Sequence, residues 1–227
     1  MMHPTTLLLQ VLLLFSTTTF SAPLVPNQNQ NVNQKPLEID TLESATDAAR
    51  IAISLLSESL VIGELATIAS PTGSTNKVKG HPIATLESIW VNNCQDASQN
   101  KDPWLALVSW GVHATNIKHD NKVSVHIRDK YFYTRVNHDD ERGLLNHPRF
   151  TLFGRLEEQE STRENVACML EKHPGAEEWF TSHSFKLFKV VTEGPVYFLG
   201  GYGGLHYVGW VPEDVYRGVA LGISSVE

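Results

Sequence analysis

The chain lacks any apolar run approaching the roughly 20 residues that a bilayer span requires. Its longest, Leu7-Leu-Leu-Gln-Val-Leu-Leu-Leu-Phe15, covers nine positions. Cysteine is scarce: Cys94 and Cys168 allow one disulfide at most, so disulfides cannot supply the framework of the fold. Cations are in the minority, with 18 Lys and Arg against 25 Asp and Glu and a net charge of −7. Without a Lys/Arg face a chain neutralises phosphates poorly, which argues against nucleic-acid binding and against attachment to an anionic membrane surface. There is no Asn-x-Ser/Thr sequon, which excludes conventional N-glycosylation. There is no Gly-x-Ser-x-Gly elbow, no His-x-x-x-His on a helix and no Cys/His cluster at zinc spacing. Hydrolase chemistry and metal ligation therefore have no support, and no catalytic residue or metal ligand is assigned.

The short apolar run has the length and position of a signal-peptide core. It is preceded by His3 and no Lys or Arg, and small and hydroxylated residues follow it up to Ser21-Ala22. Residues 1–22 are read as a signal peptide, with cleavage between Ser21 and Pro23. The next segment, Asn27-Gln-Asn-Gln-Asn-Val-Asn-Gln34, is polar and of low complexity. It buries too little apolar surface to offset its ordering entropy, so residues 23–43 are expected to form a disordered leader. The rest, residues 44–227, is the size of one domain.

Along that domain Ser44-Ala-Thr-Asp47 has the form of a helix start, and Ala45, Ala48, Ala49, Ala52, Leu55 and Leu56 recur at helical spacing. A β region begins at Leu65, turns at Ser70-Pro-Thr-Gly-Ser74, and continues as a strand from Ile83 to Val91. Trp104 to Ser109 is a continuous apolar strand, which predicts that both faces are covered. Val123, Val125 and Ile127 alternate with Ser124, His126 and Arg128, the period of a half-buried strand. Ser161-Thr-Arg-Glu164 reads as a capping box for a helix with Val166, Met169 and Leu170 inward, stopped by His173-Pro-Gly175. Strands follow at Phe150–Leu156, Phe185–Val191 and Val196–Leu199. At least six strands interrupted by only two helices lack a βαβ rhythm and predict an α+β, barrel-like domain. Cys94 falls in a loop and Cys168 in a helical pattern, so whether they pair stays open.

Several pieces recur in a telling order: Asn146-His-Pro-Arg-Phe-Thr-Leu-Phe-Gly154, His173-Pro174, Trp179, His183-Ser-Phe185 and Tyr197-Phe-Leu-Gly-Gly-Tyr-Gly-Gly204. Together they resemble the CREG family, secreted glycoproteins with the fold of the FMN-binding split barrels, and also the haem-degrading split-barrel proteins. The resemblance covers about residues 45 to 217. It implies an FMN-binding split β-barrel with flanking helices, export to the cell exterior or to a lysosome- or vacuole-like compartment, and a homodimer. The missing sequon departs from the family's glycoprotein habit.

In flavin-binding members the turn after one strand, together with its neighbouring strand, holds the FMN phosphate. The corresponding segment here is Ser109-Trp-Gly-Val-His-Ala-Thr-Asn-Ile117, which makes Ser109, His113, Thr115 and Asn116 the candidate cofactor-binding residues. Hydroxyls, an amide and backbone N–H groups at a turn suit an anion. The competing reading is that Ser109 and Asn116 cap a strand-to-helix turn and that His113 packs on Trp110. A tight phosphate site pairs its anion with Arg or Lys; the nearest cations, Lys118, Lys122 and Arg128, have no evident place there. The Asn92–Pro103 loop and the Asp139-Asp140-Glu141 turn could block the pocket, as a loop does in the CREG family. Tyr202, Tyr207 and Trp210 either close the barrel or cover a ligand. No cofactor is expected, although FMN remains possible. The leading function is a non-catalytic protein that binds a small-molecule ligand or a receptor; the alternative is an FMN-dependent oxidoreductase.

Overall fold

The computed structural model describes residues 43–58, 61–94, 101–129, 146–201 and 206–223. The apolar run at 7–15, the polar leader, the Asp139–Glu141 turn and Tyr202–Gly204 lie outside the described residues. Helix α1, Ala45–Leu56, begins where the sequence predicts. The Asp47 amide donates to Ser44 Oγ at 3.2 Å and the Ser44 amide donates to Asp47 Oδ2 at 3.1 Å, a reciprocal capping box. Its alanine stripe, Ala48, Ala49 and Ala52, is fully buried.

Strands β1 (Val61–Ile68), β2 (Pro82–Val91), β3 (Pro103–Val108), β4 (Lys122–Arg128), β5 (Arg149–Gln159) and β6 (Phe185–Thr192) form an antiparallel ring in the order β1-β2-β3-β6-β5-β4, closed by pairing of β4 with β1. Two further strands, β7 (Val196–Leu199) and β8 (Val208–Val211), extend the sheet beyond β5. The fold is thus a split β-barrel with flanking helices, α+β in class. β5 makes the split possible. Residues Arg149 to Thr151 pair with β7, whereas Gly154 to Gln159 pair with β6 along the same strand. At the changeover a Cβ on Gly154 would sit 2.2 Å from the Val191 carbonyl oxygen, so only glycine admits the crossing.

The barrel is filled by apolar side chains from its strands, Val125 and Ile127 of the predicted alternation among them. Leu65, Ile89, Leu105, Val125, Ile127, Phe150, Leu152, Val190 and Phe198 are all fully buried in one cluster that also takes the α1 alanines. β3 is covered on both faces, as its unbroken apolar run requires: Leu105 and Leu107 enter this cluster, while Ala106 joins a second one with Trp90, Met169, Ala176 and Leu187. That second cluster lies under helices α3 (Arg163–Lys172) and α4 (Glu177–Ser182), with Trp104, Trp179, Phe180 and Phe185 packed against it. A Cys94–Cys168 disulfide, Cα to Cα 5.7 Å, joins the end of β2 to α3 across 74 positions of sequence.

Three local expectations need correction. β1 begins at Val61 rather than Leu65. A Cβ on Gly63 would come within 2.7 Å of the His126 carbonyl oxygen, so it is the glycine that lets β1 lie against β4. α3 is capped one residue later than predicted: Thr162 Oγ1, not Ser161, accepts from an amide, that of Asn165 at 3.2 Å. The sequence reading also omits the short helix α2 (Val112–Asn116), strand β8 and the final helix α5 (Glu213–Ala220), which packs against α1.

The alternation of β4 holds, with Val123, Val125 and Ile127 inside and Ser124, His126 and Arg128 outside. The outer residues belong to a sheet face that no described helix covers. One row crosses six strands: Leu86 on β2, Glu64 on β1, His126 on β4, Thr151 on β5, Tyr197 on β7 and Trp210 on β8. Both ends of the row are exposed hydrophobics, Leu86 at 57% and Trp210 at 54%, and Phe153 packs beside Trp210 with the rings tilted and their centroids 5.8 Å apart.

Candidate functional site

β3 runs into the predicted turn. The Ser109 amide donates to the Ser184 carbonyl at 2.8 Å, tying the turn to the start of β6. Gly111 then caps α2. The helix is one and a half turns long, and what fixes it is a set of side-chain bonds to strands far away in sequence.

Asn116 is fully buried. Its Oδ1 accepts from the Ser70 amide at 2.9 Å and from Thr75 Oγ1 at 3.1 Å, and its Nδ2 donates to Thr67 Oγ1 at 2.9 Å. His113 is buried beside it, with Nδ1 2.8 Å from Thr67 Oγ1 and Nε2 2.7 Å from Thr85 Oγ1. Thr85 in turn donates to Glu87 Oε1 at 2.7 Å. These partners set the tautomer. The Thr85 proton goes to the carboxylate, so His113 Nε2–H must be the donor to Thr85. Nδ1 then accepts, and the Thr67 hydroxyl supplies the proton while accepting from Asn116. The result is a directed chain, Asn116 to Thr67 to His113 to Thr85 to Glu87. Burial holds the imidazole neutral, with its pKa pushed down from 6.5 to about 4. Burial acts oppositely on Glu87 and raises its carboxyl.

The four candidate residues therefore share one turn but face two ways. His113 and Asn116 point into β1, β2 and the Ser70–Thr75 turn. The Thr115 methyl lies 3.7 Å from where a Cβ on Gly73 would be, on the same side. Ser109 lines a cavity of about 570 Å³ on the side of β5 and β6. Of the three cations near the turn in sequence, Arg128 is ion-paired with Glu64 on the outer sheet face, and Lys118 and Lys122 are exposed. No cation meets His113 or Asn116 in the hydrogen bonds and ion pairs of the described residues.

The cavity was not visible in the sequence. Ala114, Ile117, Leu156 and Phe188 form its apolar floor, and Ser109, Lys118, Asn121, Glu157, Glu158 and Lys186 form its polar wall. These come from α2, the turn after it, β5 and β6, and they meet only because Glu158 pairs in register with Phe188. Lys186 Nζ closes one side with an ion pair to Glu158 at 2.5 Å. Among the described residues no three His, Cys, Asp or Glu side chains converge in a way that could hold a metal ion. No described helix is long and apolar enough to cross a membrane.

Comparison with known proteins agrees with this architecture. A solved haem-binding protein from Mycobacterium smegmatis is 22% identical, with a TM-score of 0.53 over 77% of this chain and 60% of that one. A protein of unknown function from Agrobacterium tumefaciens is also 22% identical, with a TM-score of 0.50 over 70% of this chain and 60% of that one. Both likenesses speak to the fold alone, and this chain spans about 60% of the length of each. No curated protein sequence matches. The family model described as "CREG, beta-barrel" matches residues 43–217, which takes in every strand of the barrel and the turn just described, and the chain belongs to the CREG β-barrel family.

Proposed function

We propose that this chain is an exported CREG-type barrel that works as a non-catalytic binding protein, as a homodimer, outside the cell or in a lysosome- or vacuole-like compartment. The observation that carries the reading is the fate of the candidate phosphate turn. Both ring nitrogens of His113 and the Asn116 amide already serve Thr67, Thr85, Ser70 and Thr75. A flavin phosphate arriving at His113 and Asn116 would have to break these buried bonds, each worth about 0.5–1.5 kcal/mol, and neither residue is bonded to an Arg or Lys that could repay it. His113 and Asn116, bonded as they are, do not fit the group, and no chemical step is assigned through it.

Export is supported by the apolar segment at 7–15 and by the Cys94–Cys168 bridge, since disulfides persist in oxidising compartments. The homodimer is supported by the outer face of β2, β1, β4, β5, β7 and β8, which no described helix covers. That face carries five exposed large hydrophobic side chains, Leu86, Ile62, Phe153, Val208 and Trp210, and exposed apolar groups gathered on one face are the usual mark of an interaction surface. A two-fold axis running along the strands between β4 and β5 would set Leu86 of one protomer against Trp210 of its partner, an isologous contact.

Isothermal calorimetry with FMN tests the first part. The expected result is no heat beyond dilution and a colourless protein. A micromolar dissociation constant, about −8 kcal/mol, would promote the oxidoreductase reading instead. Haemin belongs in the same titration because the Mycobacterium smegmatis neighbour is a haem-binding protein. A saturable Soret shift would make this chain a haem binder. For assembly, light scattering should report twice the chain mass, and Trp210→Glu should halve it. A wild-type monomer at micromolar concentration would reject the dimer.

A further inference from the structure

The geometry points to the helical segment 163–182 as a flap latched by the Cys94–Cys168 disulfide, which a dithiol reductant opens while the barrel stays folded. The inference goes beyond the binding reading above and stands whether or not the chain takes a flavin or dimerises.

The flap comprises α3, the turn Pro174–Ala176 and α4. It lies over Trp90, Ala106 and Leu187, which belong to β2, β3 and β6. Its own anchors are few. Across residues 163–182 only Cys168, Met169, His173 and Ala176 are buried, and α4 buries none. Cys168 is the bridged residue and Ala176 is small, so Met169 is the single large apolar side chain that the flap buries fully. Val166, Leu170, Trp179 and Phe180 rest on the cluster half-buried. A segment fixed by so little apolar area opens at a lower free energy than the barrel beneath it.

The closed flap also traps polar atoms. Trp90 Nε1, His173 Nε2 and Asn92 Oδ1 are buried and have no hydrogen-bond partner. The Trp90 and His173 rings meet edge to face with centroids 5.7 Å apart. Opening returns all three atoms to water, so their desolvation works against closure at the place the flap covers. What opposes opening is the Asn92 Nδ2 bond to Asn165 Oδ1 at 3.1 Å, a His173 bond to the Ile89 backbone, and the disulfide.

The bridge is open to attack from one side. Cys94 is exposed at the end of β2, whereas Cys168 is buried. A thiolate attacks Cys94 Sγ, the S–S bond breaks, and Cys168 leaves as a thiolate that takes up a proton. The second thiol of the reductant then attacks the mixed disulfide, releases Cys94 as a thiol and closes the reductant's own disulfide. Two electrons pass from the dithiol to the protein, and no further reactant is needed.

Hydrogen exchange of the full chain, before and after millimolar dithiothreitol at neutral pH, tests the latch. After reduction the amides of α3 and α4 should exchange about tenfold faster or more, while those of β1, β4 and β5 keep their protection. Iodoacetamide added to the reduced, native protein should label Cys168 as well as Cys94. A variant carrying Cys94→Ser and Cys168→Ser should show the same fast exchange without reductant; where it does not fold, the reduced wild type alone decides. Exchange in α3 and α4 that reduction leaves unchanged would overturn the proposal, and so would a Cys168 that stays unlabelled in the reduced protein. Loss of protection in β1, β4 and β5 together with the helices would show global unfolding in place of a flap. A bridge that resists dithiothreitol until the chain is denatured would likewise reject it.

Discussion

Replacing Asn116 by alanine separates a structural turn from a ligand-binding one. In the folded protein its Oδ1 accepts from the Ser70 amide at 2.9 Å and from Thr75 Oγ1 at 3.1 Å, while Nδ2 donates to Thr67 Oγ1 at 2.9 Å. Ser70 is 1% exposed, so its N–H has no water to turn to once the acceptor is gone. An orphaned buried amide costs about 1–3 kcal/mol, and the two hydroxyl bonds add about 0.5–1.5 kcal/mol each. Because a hydroxyl can rotate to another acceptor, the lower half of the sum applies, about 3 kcal/mol. With a urea slope of about 2 kcal/mol per molar, the unfolding midpoint should fall by roughly 1.5 M. Calorimetry with FMN should be flat before and after the change. A midpoint shift below about 0.5 M, on the order of 1 kcal/mol, would refute this account. An FMN affinity present in the wild type and lost in the variant would refute it more directly.

Acid should test the neighbouring residue. His113 is neutral in the fold, with its pKa pushed down to about 4, and in the unfolded chain it takes a proton near 6.5. The unfolded state therefore binds more protons between those values. Stability is complete above pH 6.5 and falls as pH drops towards 4, by up to roughly 3 kcal/mol from this group. Burial moves His126 and His173 the same way, whereas the raised carboxyl of Glu87 opposes it, so His113→Gln should flatten the profile rather than abolish it. An unchanged slope in urea titrations between pH 7 and 4 would contradict the assignment. The disulfide closes a loop of 74 positions, so replacing Cys94 and Cys168 together by serine should cost roughly 4 kcal/mol by the chain-entropy account. Two free thiols in the unreduced, denatured wild type would disprove the bridge. Gly154→Ala should destabilise strongly or prevent folding, because the Val191 carbonyl 2.2 Å from the new Cβ is backbone and cannot swing aside. A soluble variant with wild-type melting would show that β5 bends differently.

How much of this was legible in the sequence depends on where each residue's partner lies. α1 and β4 were readable because their information is local. Ser44 and Asp47 cap each other three residues apart, and Val123, Val125 and Ile127 alternate within one strand. β3 was readable as doubly covered because a run without polar residues has no face to give to water. β8 and α5 were hidden, since the Tyr207–Trp210 aromatics read as a cluster rather than as a strand. The first four residues of β1, Val61 to Glu64, were missed, and they include Gly63, whose reason is a backbone on another strand. The order of elements still named the family, because motif order survives errors in boundaries.

The site shows the same division more sharply. Ser109, His113, Thr115 and Asn116 have the residue types of a phosphate turn, and nothing within nine residues distinguishes a turn that binds from one that is bound. The decision lies 46 to 49 positions away, at Thr67 and Ser70, and 28 positions away at Thr85. Four hydroxyl or amide partners, from Thr67, Ser70, Thr75 and Thr85, are enough to consume both His113 and Asn116. The cavity needs still more: it exists only where α2, β5 and β6 meet, so no single segment carries its pattern. A polar turn in this fold can therefore be assigned to a ligand only after its internal partners have been counted. By that count His113 and Asn116 are spent on the fold, whereas Ser109 lines the cavity on the side of β5 and β6.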